Sequence, residues 1–179
     1  MMSGTLRAAL ATGVGLAALI GGAAPVHADQ HASSEILMTV QLQVKYKSKC
    51  LSVANGSLAN GAHVVEADCD SSAENQIFGL RDAASGWEIV AKHSGRCVTY
   101  SPTGTAGVVQ RWCNGSSDQQ WSMSFIEDEA EPNRLTLRPD DAPDECLSMG
   151  GTPAGEEPVA YVMDCFDDLP SQEWKLLFI

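Results

Sequence analysis

The chain has 179 residues and carries 23 acidic against 11 basic side chains, a net charge of −12. That surplus repels a phosphate backbone or an anionic lipid surface, which argues against nucleic acid as a partner. Six cysteines, an even number, raise the question of metal site or disulfide framework, and the order of elements along the chain decides it.

The N-terminus opens with Arg7, an apolar small-residue stretch over residues 8–24, Pro25 and the small-x-small sequence Val26-His27-Ala28. This pattern predicts a cleaved secretory signal over residues 1–28 and an exported, extracellular protein. As a membrane span the stretch is too short: its 17 residues are interrupted by glycines, where a bilayer needs roughly 20 apolar ones, so no membrane insertion is expected. Removing the signal leaves 151 residues, enough for one domain with a core of its own, and 10 basic against 23 acidic residues, a net charge of −13. Residues 29–40 mix Asp, Gln, His and Ser without a period and are expected as a flexible leader.

From residue 41 the hydrophobic period is two. Leu42, Val44 and Tyr46 alternate with polar residues, as do Leu135 and Leu137 between Arg134, Thr136 and Arg138. Turn residues at Asn55-Gly56, Asn60-Gly61, Pro102-Thr103-Gly104, Asn114-Gly115, Gly150-Gly151 and Gly155 cut the chain into short strands. Asn55-Gly-Ser and Asn114-Gly-Ser also match the N-glycosylation triplet, although their turn role explains them. No amphipathic helix follows the signal, so the predicted class is all-β.

One short phrase recurs three times. Cys50-Leu51-Ser52-Val53, Cys97-Val98-Thr99-Tyr100 and Cys146-Leu147-Ser148-Met149 each lead to a second cysteine, Cys69, Cys113 and Cys165, at separations of 19, 16 and 19. A Gln-x-aromatic triplet closes each copy: Gln76-Ile77-Phe78, Gln119-Gln120-Trp121 and Gln172-Glu173-Trp174. The opening cysteines recur at 47 and 49 residues, a repeat period. A propeller needs at least four blades, whereas three units of four strands fit a closed threefold barrel. In an exported chain these spacings match no zinc pattern, and a unit copied three times most economically carries its own bridge. The predicted disulfides are therefore Cys50–Cys69, Cys97–Cys113 and Cys146–Cys165.

Acidic residues gather at Glu127-Asp128-Glu129-Ala130-Glu131, Asp140-Asp141, Asp144-Glu145, Glu156-Glu157 and Asp167-Asp168. None has the alternating spacing of a calcium loop, so they read as solvated loops and no metal or cofactor is expected. Nor do they suggest a glycosidase, since neighbours such as Asp140 and Asp141 would point to opposite faces of a strand rather than across a substrate. His31, His63 and His93 form no zinc-protease pattern, and no serine sits in a nucleophile elbow. No enzymatic activity is expected.

The three repeats resemble the ricin-B-type lectin repeat, also known as the family 13 carbohydrate-binding module. The resemblance covers nearly all of residues 41–179, with repeats at about 41–84, 85–131 and 132–179. It implies a β-trefoil of twelve strands with one shallow sugar pocket possible per repeat. It further implies that Phe78, Trp121 and Trp174 pack in the core with Leu51, Val98 and Leu147, while Gln76, Gln119 and Gln172 brace the backbone.

A pocket of that family combines an aromatic ring, a carboxylate two residues after the first cysteine, and an amide. Ser52, Thr99 and Ser148 stand where the carboxylate is usual, and a neutral hydroxyl makes the weaker bond, which lessens the case for galactose bound in the family's manner. Only Trp112, beside Cys113, supplies a ring next to the second cysteine. Three residues before the closing aromatic lie Asn75, Asp118 and Ser171. The second repeat is therefore the expected site, with Trp112 as platform, Asp118 as hydroxyl acceptor, and Thr99 and Gln119 in support. Ser52 with Asn75 is the weaker site, and Tyr100, Tyr161 and His63 are surface contacts of lesser weight. The expected function is a secreted, monomeric carbohydrate-binding protein whose partner is a glycan or polysaccharide. The alternative is a trefoil that has lost sugar binding and serves as a protein-interaction or inhibitor scaffold.

Overall fold

The computed structural model describes residues 35–102, 107–127, 129–150 and 158–179. The expected signal lies outside these residues, as do residues 29–34 of the leader and the glycines expected in turns at 104, 151 and 155.

Twelve strands follow in order: β1 (Ile36–Val44), β2 (Cys50–Val53), β3 (Val64–Ala67), β4 (Phe78–Ala83), β5 (Gly86–Ala91), β6 (Arg96–Tyr100), β7 (Val108–Arg111), β8 (Gln120–Phe125), β9 (Arg134–Pro139), β10 (Glu145–Met149), β11 (Ala160–Asp164) and β12 (Trp174–Phe178). The helical elements among the described residues are single 3-10 turns of three residues, such as Glu74–Gln76 and Ser117–Gln119. All pairings are antiparallel. β1 pairs β4, β4 pairs β5, β5 pairs β8, β8 pairs β9, β9 pairs β12, and β12 returns to β1. This is a closed ring of six strands, which leaves the barrel no free edge.

The remaining strands form three hairpins, β2–β3, β6–β7 and β10–β11. Backbone bridges His63–Val109 and Val65–Val159 join the three hairpins to one another. Four strands per repeat, two in the barrel and two in a hairpin, make the β-trefoil that the sequence predicts.

Alternation decides which side chains turn inward. Val40, Leu42 and Val44 of β1 and Leu135 and Leu137 of β9 are fully buried, and they join Phe78, Trp121 and Trp174 with Leu51, Val98 and Leu147 in one core. The expected core residues are all there. Each buried indole N–H finds an acceptor, Trp121 Nε1 at Val98 O (3.0 Å) and Trp174 Nε1 at Leu147 O (2.9 Å), so neither incurs the cost of an unpaired donor.

The glutamine of each triplet makes the same brace. Gln76 Nε2 donates to Asp68 O (2.8 Å) and its Oε1 accepts from Asp70 N–H (2.9 Å). Gln119 does this at Trp112 O (2.9 Å) and Asn114 N–H (2.8 Å), and Gln172 at Asp164 O (2.8 Å) and Phe166 N–H (2.9 Å). In every repeat the amide thus straddles the second cysteine, holding the residue before it and the residue after it. The three disulfides pair as predicted, each with Cα atoms 5.0 Å apart. On a chain-entropy estimate each contributes about 3 kcal/mol.

Two expectations are corrected. The fold begins at Ile36 rather than at residue 41, because Ile36, Met38 and Val40 pair along β4 and Val40 enters the core, so residues 36–40 belong to the barrel and not to a leader. Asp140 and Asp141 lie in a turn after β9 and not in a strand, so the opposite-faces argument does not apply to them.

Candidate functional site

The pocket positions of the three repeats are built alike: a hydroxyl on the hairpin's first strand, and the turn before the closing aromatic, 3-10 in the first two repeats, laid beside it. In the first repeat Asn75 Nδ2 donates to Ser52 Oγ (3.0 Å) and to Val53 O (2.9 Å). In the third, Ser148 Oγ and Ser171 Oγ lie 3.1 Å apart. In the second, Thr99 Oγ1 donates to Cys97 O (2.9 Å) and accepts from Gln119 Nε2 (3.1 Å). Ser52, Thr99, Ser148 and Gln119 are all buried.

These hydroxyls are therefore occupied from within. A carboxylate at the same place would have about four acceptor positions, whereas a hydroxyl has two, one of them taken by its neighbour at Ser52 and at Thr99. Of the residues expected to hold sugar, Ser52, Thr99 and Gln119 do not present themselves to solvent, and the Asn75 amide is turned toward Ser52 and the backbone. Trp112 and Asp118 do reach the surface.

Trp112 is 64 % exposed and follows β7 directly. Its backbone is gripped at both ends: its N–H donates to Asn60 Oδ1 (2.8 Å), and its carbonyl takes the brace from Gln119. Arg96, at the start of β6, lays its guanidinium 4.1 Å from the ring centroid, a cation–π contact that covers one face. The backbone that carries the exposed ring is thus held in place, which limits the entropy lost in ordering the loop when a ligand stacks on it. The residue before the second cysteine is exposed in all three repeats, Asp68 and Asp164 as well as Trp112, so the ring lies outside the core.

In the loop that follows, Asn114 Oδ1 accepts from Ser116 N–H (3.0 Å), and the Ser116 hydroxyl lies within hydrogen-bond reach of both Asn114 Oδ1 (2.6 Å) and the Asp118 carboxylate. Asp118 is partly exposed and has acceptor positions left for a hydroxyl donor. Tyr100 is not a surface contact of the expected kind. Its hydroxyl donates to Glu145 Oε2 (3.2 Å), tying the second repeat to the third, and burial, with the Glu145 charge in support, pushes the phenol above its ordinary range.

Sequence reasoning did not single out Arg96, and it read Asn60 only as a turn residue. Arg96 carries no motif, and only the pairing of Cys97 with Arg111 across β6 and β7 puts it next to the ring. Among the described residues no group of three or more His, Cys, Asp or Glu is placed to hold a metal ion, and no helix is long and apolar enough to cross a membrane.

Comparison with known proteins agrees with this fold. The family described as the ricin-type beta-trefoil lectin domain matches residues 38–174. No match was found among curated protein sequences. Among solved structures, the designed 3-fold symmetric protein ThreeFoil superposes with a TM-score of 0.68 at 23 % identity, over 79 % of this chain and 99 % of that one. The Rhizoctonia solani agglutinin gives 0.62 at 16 % identity, over 79 % and 95 %. The exo-beta-1,3-galactanase 1,3Gal43A from Clostridium thermocellum gives 0.65 at 23 %, over 80 % of this chain but 30 % of that one.

Proposed function

Since the chain belongs to the family of ricin-type beta-trefoil lectin domains, we propose that it is an exported, non-catalytic carbohydrate-binding protein that holds a glycan at its second repeat. The observation that carries this reading is Trp112, an exposed ring clamped through its own backbone, in the same repeat as the partly exposed Asp118 carboxylate. Such a ring takes the apolar face of a pyranose, and the carboxylate accepts from its hydroxyls, a combination that competes with water. A neutral glycan suits the site best, because a net charge of −13 after signal removal repels a polyanion.

The test is retention on immobilised neutral glycans. Trp112→Ala is expected to weaken retention at least tenfold with the melting temperature unchanged, since the ring lies outside the core. A second reading, a trefoil that binds a protein instead, draws support from the internally satisfied Ser52–Asn75 and Ser148–Ser171 pairs. A protein partner captured without competition from any free sugar would favour it.

A further inference from the structure

The pseudo-threefold symmetry of the barrel makes one departure visible. The closing aromatics pair with Val44, Ala91 and Pro139 across the barrel pairs β12–β1, β4–β5 and β8–β9. Three residues further along each pair of strands, the facing residues are Leu177 with Gln41, Arg81 with Glu88, and Ser124 with Thr136. These three pairs occupy equivalent places on the outside of the barrel.

In two of the places long side chains fill the space. Gln41 is buried, and its Nε2 donates to Asp70 O (2.8 Å) and Gln76 Oε1 (3.2 Å) in the loop of the first repeat. Arg81 and Glu88 form an ion pair of 2.6 Å, both side chains largely buried, and the guanidinium reaches on to Cys97 Sγ (3.6 Å). In the third place Ser124 and Thr136 are too short to do this. A groove of about 480 Å³ stays open there, within the range of small-molecule sites.

The walls of the groove are also unlike the rest of the surface. Phe166 follows Cys165 where the other repeats have Asp70 and Asn114, whose side chains each cap the next turn through a serine. A phenylalanine cannot cap, and Phe166 stands 53 % exposed in the groove, facing a space shared with Phe125, 67 % exposed. Arg138 lines the same groove with a buried Nε that has no hydrogen-bond partner. Asp167 and Asp168 complete the rim, and Asp168 adopts the left-handed conformation at φ 56°.

We propose that this groove is a second glycan-binding site, separate from Trp112, that takes a neutral sugar residue. Two exposed rings supply the stacking surface for pyranose C–H faces. Arg138 brings a guanidinium to the wall, Ser124 and Thr136 offer hydroxyls from the floor, and the two rim carboxylates accept from sugar hydroxyls while repelling an acidic sugar. The proposal rests on the carbohydrate-binding reading and extends it. Two sites on one small domain would let it cross-link glycan chains and gain avidity.

The test takes the oxidised protein to a panel of neutral galacto-, gluco-, manno- and xylo-oligosaccharides, and the tightest binder to titration calorimetry. The expected stoichiometry is two per chain, falling to one in Trp112→Ala and to one in Phe166→Ala. A second variant, Ser124→Arg with Thr136→Glu, refills the groove with the pair already used at Arg81 and Glu88. It should remove the same site while keeping the wild-type melting curve. Wild-type binding by both groove variants would overturn the proposal, as would loss of all binding in Trp112→Ala alone, and the lectin reading would survive either result. If no sugar on the panel binds the folded protein, both fall. Binding lost only in the groove variants would keep the groove and displace Trp112.

Discussion

At the scale of single residues, the most consequential side chain is Gln119. Its amide holds Trp112 O, Asn114 N–H and Thr99 Oγ1 at once, so one buried group shapes the loop and presents the ring. Gln119→Ala breaks all three bonds and empties the buried space the side chain fills, and is expected to lower stability by about 3 kcal/mol, read from the shift in the urea midpoint at constant slope. Glycan affinity should fall with it, since Trp112 loses one of its two backbone anchors. The cysteines and closing aromatics announced their roles in the sequence because a disulfide and a core ring depend mainly on residue type. The pocket hydroxyls did not. That Ser52 and Thr99 are turned inward depends on Asn75 and Gln119 reaching them across 23 and 20 residues of chain, a contact no spacing rule states.

At the scale of elements, periodicity of two was enough to find strands, and β1 was cut short only because its first residues carry the pattern weakly, with Ile36 and Leu37 both exposed. Turn chemistry was equally direct. Gly86, which opens β5 after the β4 turn, has φ +86°, and a Cβ there would stand 2.5 Å from Trp121 O. Gly86→Ala combines a left-handed backbone with a collision against the barrel wall. It is expected to cost about 2 kcal/mol, measured by the same denaturation. The groove of the third repeat was hidden at this scale, since it follows from which residues face each other across β4–β5, β8–β9 and β12–β1, and register is fixed only once the barrel has closed.

For the whole molecule, closure brings the two ends of the domain together. Lys45, just past β1, bonds Glu131 (2.8 Å) before β9 and Glu173 (2.9 Å) before β12, and Arg134 holds Glu131 from the other side (3.1 Å). The Lys45 ammonium first, with Arg134 beside it, keeps the Glu131 carboxyl below its ordinary value of 4.5. A depressed carboxylate stabilises the fold above the unfolded pKa, and that share is lost as pH falls below about 4.5 through the folded value. Glu131→Gln is therefore expected to melt below wild type at pH 7 and together with it near pH 3. The contribution is modest because the group is exposed to solvent. What no arrangement of strands discloses is the ligand, because trefoils with the same core carry different surfaces.

The central claim is that an exposed, backbone-clamped Trp112 makes this trefoil a lectin. The most direct measurement is retention of the oxidised protein on an array of neutral glycans, beside Trp112→Ala with the same melting curve. Specific retention by the wild type, at least tenfold weaker in the variant, is the predicted result. A folded wild type silent on every glycan, or a variant that binds as well as the wild type, would contradict it.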